Sequence, residues 1–189
     1  MGNNNGFVTL VNEDLKQDFF KKEKFKEVLH YIIDKCGDRP NVGITVLYKL
    51  LFFSDFNYYE ICEEKMTGES YYKLPKGPAP VHFKSMAKEL ENEDKINHYQ
   101  GTYMGYPQKK YRSLQSPQLT LLKNSEKEII DKVIEKCSHM NATEISDYSH
   151  EDISWRATDD NEEIDYELVF YRDEKCSARA QYGNIQCND

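Results

Sequence analysis

The segment that most constrains the fold is residues 49–60, KLLFFSDFNYYE, which is almost continuously apolar and aromatic. It lies within residues 44–63, where apolar side chains recur at helical spacing on more than one face. A helix that is apolar on several faces must be buried on several sides. We therefore predict a central helix at residues 44–63, around which the rest of the domain packs.

A second informative stretch follows at residues 66–83, MTGESYYKLPKGPAPVHF. Its prolines fix backbone angles, so residues 77–80 are predicted to form a turn, with Pro80 at the first position of the next helix. The turn could be a rigid recognition surface, or a corner in which Gly77 supplies a positive φ. We favour the corner, because glycine and proline shape turns more often than they bind partners.

Further helices are indicated by periodicity and by end signals. The first is predicted at residues 15–36, with Gly37 as a left-handed stop, and another from Pro80 to about Glu91. A capping box at residues 125–128 and a cap at Asn141 open two more helices. The predicted buried side chains of these helices are Phe25, Val28, Leu29, Ile32, Ile33, Cys36, Phe83, Met86, Ala87, Leu90, Ile129, Ile130, Val133, Ile134 and Cys137.

The pattern changes at residues 96–114, where tyrosines alternate with glycines and a proline, as in a short hairpin. Residues 164–171 favour a final strand or the start of a helix. No internal repeat or linker divides the chain, so we expect one mainly α (α+β) domain at residues 15–172 with a small β-hairpin or short sheet. Residues 1–14 and 173–189 are assigned as tails, and whether the second is ordered alone or only in a complex is left open.

Composition narrows the class of protein. The net charge is −8, which argues against the broad positive field that non-specific nucleic-acid binding needs. The cysteines are odd in number and include no Cys-x-x-Cys pair, so neither a disulfide framework nor a zinc site is expected. No membrane span or signal peptide is recognised, and we expect a cytoplasmic protein. The cysteines are Cys36, Cys62, Cys137, Cys176 and Cys187.

The sequence gives little support for a catalytic site or a metal-binding site. Ser149 and His150 are neighbours in sequence, so their side chains point apart, and no Gly-x-Ser-x-Gly elbow is present. We interpret His150 as a partly positive cap at a helix C-terminus. The histidines are scattered without a His-x-x-x-His pair, although His139 and His150 could approach each other. We expect no catalytic residues, no metal and no cofactor.

A basic aromatic cluster lies at residues 103–112. Its lysines and arginine could contact phosphates while Tyr106 and Tyr111 stack on bases. The alternative is a solubilising hairpin edge, which we favour because the chain is acidic overall. Contact with a protein is placed ahead of contact with nucleic acid.

Three segments, in this order, carry a family pattern. Residues 49–55 give Lys-Leu-Leu-aromatic-aromatic-x-Asp, residues 67–80 give Thr-Gly-x-x-Tyr followed by Gly-Pro-x-Pro, and residues 142–155 end in Ser-x-x-Ser-His and a Trp. The matching positions in the second and third segments are Thr67, Gly68, Tyr71, Gly77, Pro78, Pro80, Ser146, Ser149, His150 and Trp155. Together they resemble the SocA-like antitoxin domain family, also called Panacea, over roughly residues 20–172.

Three positions depart from that family pattern. Lys73 stands where a small residue is commoner, Ala79 where valine is commoner, and Ile145 in the place of leucine. These differences affect the fine shape of the turn and not the fold.

The resemblance implies a protein without enzymatic activity that binds and neutralises a toxin encoded beside it, in bacteria or phage. One family member is a proteolytic adaptor that delivers its toxin to a ClpXP-type protease. The family pairs with many unrelated toxins, so the target is not implied. An alternative is a phage- or mobile-element-encoded regulator that uses the same domain against a host complex. The oligomeric state is left open.

Tyrosine-rich surfaces suit such binding, because tyrosine offers a large contact area at low entropic cost. The candidate partner-binding residues are Tyr71, Tyr72, Lys73, Lys76, Tyr103, Tyr106, Tyr111, His150 and Trp155.

Overall fold

The computed structural model describes residues 20–187, so the predicted tail at residues 1–14 lies outside it. The described residues form seven α-helices, one 3-10 helix and two antiparallel two-stranded sheets, which confirms a mainly α fold with small β elements. The elements are α1 (Lys22–Cys36), α2 (Ile44–Cys62), β1 (Tyr71–Leu74), β2 (Gly77–Pro80), α3 (Phe83–Asn92), β3 (Ile96–Tyr103), β4 (Tyr106–Ser113), α4 (Asn124–Cys137), α5 (Ala142–Glu151), α6 (Ile153–Arg156), the 3-10 helix (Tyr166–Tyr171) and α7 (Ala178–Tyr182).

Helix α2 is the centre of the fold, as its all-round apolar pattern predicts. It packs against α1, α4, α5, α7, the 3-10 helix and β2. Phe56 stacks on Tyr166 of the 3-10 helix with ring centroids 4.1 Å apart, and Phe52 meets Tyr71 of β1 edge-on. The side chains of the other predicted helices point into the same core.

Residues 77–80 are a strand, so the prediction that they form a turn is wrong. β2 pairs with β1 from Tyr71↔Pro80 to Leu74↔Gly77, and the turn is Pro75–Lys76. Both prolines take non-hydrogen-bonded positions of this ladder, where no N–H is needed. Pro80 therefore ends a strand, and α3 begins three residues later at Phe83.

The predicted hairpin is confirmed as β3 and β4, paired from Ile96↔Ser113 to Tyr103↔Tyr106. The two turn residues, Met104 and Gly105, both have positive φ, at 50° and 84°. This backbone matches the right-handed twist of the strands it joins.

Two helix ends differ from the prediction. Gly37 has φ −59° and is not a left-handed stop; a Cβ there would lie 2.6 Å from the carbonyl oxygens of Ile33 and Tyr111, so glycine permits the close approach of β4. Helix α4 begins at Asn124, where the Glu126 carboxylate accepts the Lys123 N–H at 2.8 Å. The capping box lies two residues earlier than predicted, because Glu126 is buried and paired with Lys24.

The predicted cap at Asn141 is confirmed. Its Oδ1 accepts the N–H groups of Thr143 and Glu144 at 2.9 and 3.1 Å. The Glu144 carboxylate in turn accepts the Asn141 N–H at 2.7 Å.

Residues 173–187, assigned to a tail, pack on α2. The Glu60 carboxylate of α2 accepts the Ala178 N–H at 2.9 Å, and Cys62 at the end of α2 is joined to Cys187 by a disulfide bond. The expectation of no disulfide is therefore wrong, because this pair is 125 residues apart in sequence and only the fold brings it together. Cys36, Cys137 and Cys176 are free and buried.

A buried ion triad fixes the point where this segment leaves the domain. The Arg172 guanidinium is fully buried, and it donates to Glu60 at 2.8 Å and to Asp152 at 2.6 Å. Along residues 20–187, no helix combines the length and the apolar character that crossing a membrane requires.

Candidate functional site

Residues from each of the three sequence segments meet in a buried cluster. The Asp55 carboxylate accepts the Thr67 N–H at 3.0 Å and the hydroxyls of Thr67 and Tyr71 at 2.7 Å. Burial raises the pKa of Asp55 to about 6, although these hydrogen bonds hold it lower than burial alone would. Asp55 therefore ties the loop before β1, and β1 itself, to the central helix.

Lys49 makes the second tie. Its ammonium group is buried and donates to the Pro78 carbonyl of β2 at 3.1 Å. Burial lowers the pKa of Lys49 to about 7, and the charge of Lys76 nearby acts in the same direction.

Gly77 is where α5 meets β2. It has φ +93°, and a Cβ there would lie 2.4 Å from Ser149 Oγ and 2.7 Å from Lys49 Cε. The favoured corner interpretation of Gly77 is correct in requiring positive φ. Ser146 Oγ completes the contact by donating to the Lys76 carbonyl at 3.0 Å. We name the set Lys49, Asp55, Thr67, Tyr71, Gly77 and Ser149 the motif frame.

A concave surface of about 720 Å3 lies outside the motif frame, and we name it the groove. Its lining comes from the tip of the β3–β4 hairpin, from the first turn of α2 with the residues before it, and from the first turn of α5. Lys76 of the β1–β2 turn also lines it. The lining residues are Asn41, Gly43, Ile44, Thr45, Lys76, Tyr103, Met104, Tyr106, Pro107, Gln108, Lys109, Asn141, Ala142, Thr143 and Glu144.

The walls of the groove are held by specific hydrogen bonds. Gln108 Nε2 donates to the Pro40 carbonyl at 2.6 Å, and Lys110 Nζ donates to the Val42 carbonyl at 3.1 Å. Asn41 Nδ2 bridges to the carbonyls of Ser138 and Met140 at 2.9 and 2.8 Å. The groove is preorganised, so a ligand would not have to order its walls.

The hairpin tip presents large apolar side chains to solvent. Met104 is 75% exposed and Tyr106 is 78% exposed. Met104 also holds a left-handed backbone conformation that residues other than glycine, asparagine and aspartate seldom adopt. Exposed apolar groups on a rigid turn at the rim of a groove are typical of a contact surface.

The groove carries two lysines and one glutamate, although the protein as a whole is acidic. Among the described residues, neither Lys76 nor Lys109 has a carboxylate within ion-pair distance, and Lys109 lies over the Tyr111 ring. Glu144 is the one carboxylate among the lining residues, and it is engaged at the start of α5. Gly43, the residue just before helix α2, offers no side-chain cap, so the first N–H groups of the helix add positive character.

The residues Lys73, His150 and Trp155 form a separate cluster. The His150 and Trp155 rings stack with centroids 4.1 Å apart, and Lys73 Nζ lies 4.4 Å from the Trp155 centroid. Burial, and then the charge of Lys49, lowers the pKa of His150. His150 lies in the last turn of α5, as predicted, but the partly positive charge assigned to it is wrong, because its ring is stacked in a site that disfavours the cation.

The other predicted partner-binding residues divide into three groups. The groove brings together Lys76, Tyr103 and Tyr106. Tyr72 is 36% exposed on β1, away from the groove lining. Tyr71 and Tyr111 are 0% and 2% exposed, so the prediction that they contact a partner is wrong; both serve the core.

The sequence prediction missed the groove residues contributed by helix starts. The first turn of α2 and the first turn of α5 carry no unusual residue type, and only the fold brings them together with the hairpin tip in one groove. Met104 was also missed, although Gly105 after it signals a tight turn.

The arrangement around Ser149 has little in common with a nucleophile and its base. Ser149 Oγ is buried and donates to the Ser146 carbonyl at 2.7 Å, within its own helix. No cluster of three or more His, Cys, Asp or Glu that could hold a metal ion occurs along residues 20–187.

One protein-family model matches a large part of this chain, including the motif frame. The family model described as antitoxin SocA-like, Panacea domain, matches residues 47–156, which is more than half of the chain and spans the motif frame. No curated protein and no solved structure matches the chain. The chain therefore belongs to the SocA-like antitoxin, or Panacea, domain family.

Proposed function

We propose that this protein is an antitoxin-like binding module that neutralises a protein toxin by direct contact, without catalysis of its own. The observation that carries the proposal is the family membership of residues 47–156. The groove supports it with the means to bind, because a preorganised concave surface lies beside the exposed apolar side chains of Met104 and Tyr106.

The proposal includes that this protein catalyses no reaction itself. Asp55 and Lys49, a carboxyl and an amino group whose pKa values burial shifts, are each 1% exposed and occupied with Thr67, Tyr71 and Pro78. Groups in such positions stabilise structure, whereas a catalytic group must reach a substrate.

Two versions of neutralisation share this binding step. In the first, the protein occludes the active surface of the toxin and the complex persists. In the second, it is a proteolytic adaptor that delivers the toxin to a protease, as the family resemblance implies. We favour occlusion, because the groove provides a binding surface, whereas contact with a protease would need a second one.

The experiment is co-expression with the product of the neighbouring open reading frame. We expect this protein to restore growth that the product inhibits, and the two to purify together. A matched Tyr171→Ser variant, altered at a 75% exposed tyrosine away from the groove, should restore growth equally. Absence of both rescue and complex would contradict the proposal.

The half-life of the toxin separates the two versions. Occlusion predicts an unchanged or longer half-life when this protein is co-expressed. A half-life that shortens only in cells with the intact protease would identify the adaptor version.

A further inference from the structure

We infer that the groove binds an extended toxin segment that carries carboxylates beside an aromatic or aliphatic anchor. This inference rests on the proposed function and deepens it, because it names the chemistry of the partner. Both halves of that chemistry are argued from the groove itself.

The charge of the groove is opposite to that of the protein. The chain has a net charge of −8, and many of its lysines outside the groove are paired, as Lys26 is with Glu23, Glu89 and Glu93. In the groove, Lys76 and Lys109 have no ion-pair partner among the described residues. The start of α2, which has no side-chain cap, adds backbone N–H groups to the lining. Carboxylates of a partner would form ion pairs with these lysines and accept hydrogen bonds from these N–H groups.

The apolar anchor of the partner segment is inferred from the hairpin tip. Met104 and Tyr106 present unpaired apolar area, and their thioether and ring can cover a side chain inserted between them and Ile44. Aromatic and methionine side chains are enriched where protein interfaces bury an anchor. An aromatic or leucine side chain matches this surface.

The shape favours a segment over a whole domain face. A volume of about 720 Å3 lies within the roughly 300 to 1,000 Å3 typical of ligand pockets, which hold a few side chains. The walls at the start of α2 and at the hairpin tip are fixed by hydrogen bonds, so the segment must adapt to the groove. A short extended segment meets that requirement.

The test measures fluorescence anisotropy with two labelled peptides and the full chain. In the first peptide, glutamates alternate with leucine and tryptophan; in the second, lysines replace the glutamates. We expect the acidic peptide to bind at least about ten-fold more tightly, with affinity that falls as salt rises. Equal binding of both peptides, or no binding of the acidic peptide, would overturn the inference.

Two pairs of variants locate the binding. Lys76→Glu with Lys109→Glu should reverse the preference, whereas Lys88→Glu with Lys132→Glu, two exposed lysines on α3 and α4, should not. Tyr106→Ser should weaken binding of the acidic peptide at least about five-fold, and Tyr171→Ser should leave its affinity unchanged. Equal losses in the control variants would overturn the groove as the site.

The other occupants are separate outcomes that also overturn the inference. Sedimentation velocity that shows a dimer, dissociated by Tyr106→Ser, would identify a second copy of this chain in the groove. Acidic-peptide binding that appears only after removal of residues 1–19 would identify the chain's own segment.

The growth assay distinguishes failure of this inference from failure of the proposed function. Toxin neutralisation that persists when the groove variants bind no peptide would contradict the inference alone. A wild-type protein that neutralises nothing would contradict the proposed function, whatever the peptides do.

Discussion

The motif frame and the groove differ in how they are built and in how clearly the sequence predicts them. The motif frame consists of buried polar groups that satisfy one another, such as Asp55 with Thr67 and Tyr71. The groove consists of ordinary residues at helix starts and of exposed side chains on a hairpin tip. The family pattern coincides largely with the first region, so the residues that match it hold this fold together, whereas our proposal places partner contact in the groove.

This difference has a physical cause. A buried carboxylate or ammonium group must keep its hydrogen-bond partners, because an unsatisfied polar group in the core costs about 1 to 3 kcal/mol. Lys49 and Gly77 are thus fixed by their surroundings. A contact surface at Met104 and Tyr106 has no such internal requirement, and its residues can differ between proteins that bind different partners.

The largest expected effect is at Asp55. Asp55→Ala leaves the Thr67 N–H and the hydroxyls of Thr67 and Tyr71 without their acceptor, so we expect a loss of about 4 kcal/mol in the free energy of unfolding. Urea denaturation measures it. Asp159→Ala, at an exposed loop position, should stay within about 0.5 kcal/mol. Equal stability of the two variants would show that the motif frame is not what holds the fold.

The next effect separates packing from backbone strain at two glycines. Gly77→Ala adds a Cβ 2.4 Å from Ser149 Oγ at φ +93°, and should cost about 3 kcal/mol. Gly105→Ala at φ +84° meets nothing within 4 Å, and should cost about 1 kcal/mol from strain alone. Thermal unfolding of both variants checks this order, and equal costs would contradict tight packing at Gly77.

The disulfide bond gives the third effect. Breaking Cys62–Cys187 by Cys62→Ser should lower the free energy of unfolding by about 2.5 kcal/mol, because the bond closes most of the chain into a loop. Dithiothreitol should lower the melting temperature of the wild type and leave that of the variant unchanged. Thiol titration of the unfolded, oxidised wild type should detect three free cysteines. A titre of five would contradict the disulfide.

A smaller effect depends on pH. The pKa of Lys49 is lowered to about 7 in the folded state, so the unfolded state binds more protons above that pH and stability rises with pH. The stability of the wild type relative to Lys49→Met should increase by about 2 kcal/mol between pH 7 and 9. Urea denaturation across this range measures the difference. A constant difference would show that Lys49 keeps its charge without penalty.

The smallest effect on stability belongs to the groove. Tyr106→Ser should change the free energy of unfolding by less than about 0.5 kcal/mol, because the side chain is 78% exposed. The same variant should impair toxin neutralisation. Urea denaturation together with the growth assay therefore separates the groove from the motif frame. A large loss of stability in Tyr106→Ser would contradict this distinction between the groove and the motif frame.

Local patterns predicted much of this fold, and long-range contacts account for what they missed. The central helix, the β3–β4 hairpin and the Asn141 cap follow from periodicity and from groups a few residues apart. Residues 77–80 were misassigned because the pairing of β2 with β1, and not proline content, decides their conformation. The Cys62–Cys187 bond depends on an approach across the whole domain, which sequence spacing does not reveal.

The candidate site was predicted less well for the same reason. Tyrosine content pointed to binding, yet whether a tyrosine is exposed depends on its neighbours in the fold. Tyr71 meets Asp55 in the core, whereas Tyr106 follows a tight turn into solvent. Likewise, a helix-end position alone did not reveal that His150 stacks on Trp155.

Hydrogen–deuterium exchange tests the central claim most directly, with the protein alone and bound to the product of the neighbouring open reading frame. The account predicts new protection at residues 41–45 and 103–109, with exchange at residues 67–71 unchanged because this segment is already packed into the motif frame. New protection around Tyr72 or Tyr171, with the groove exchanging as in the free protein, would contradict it.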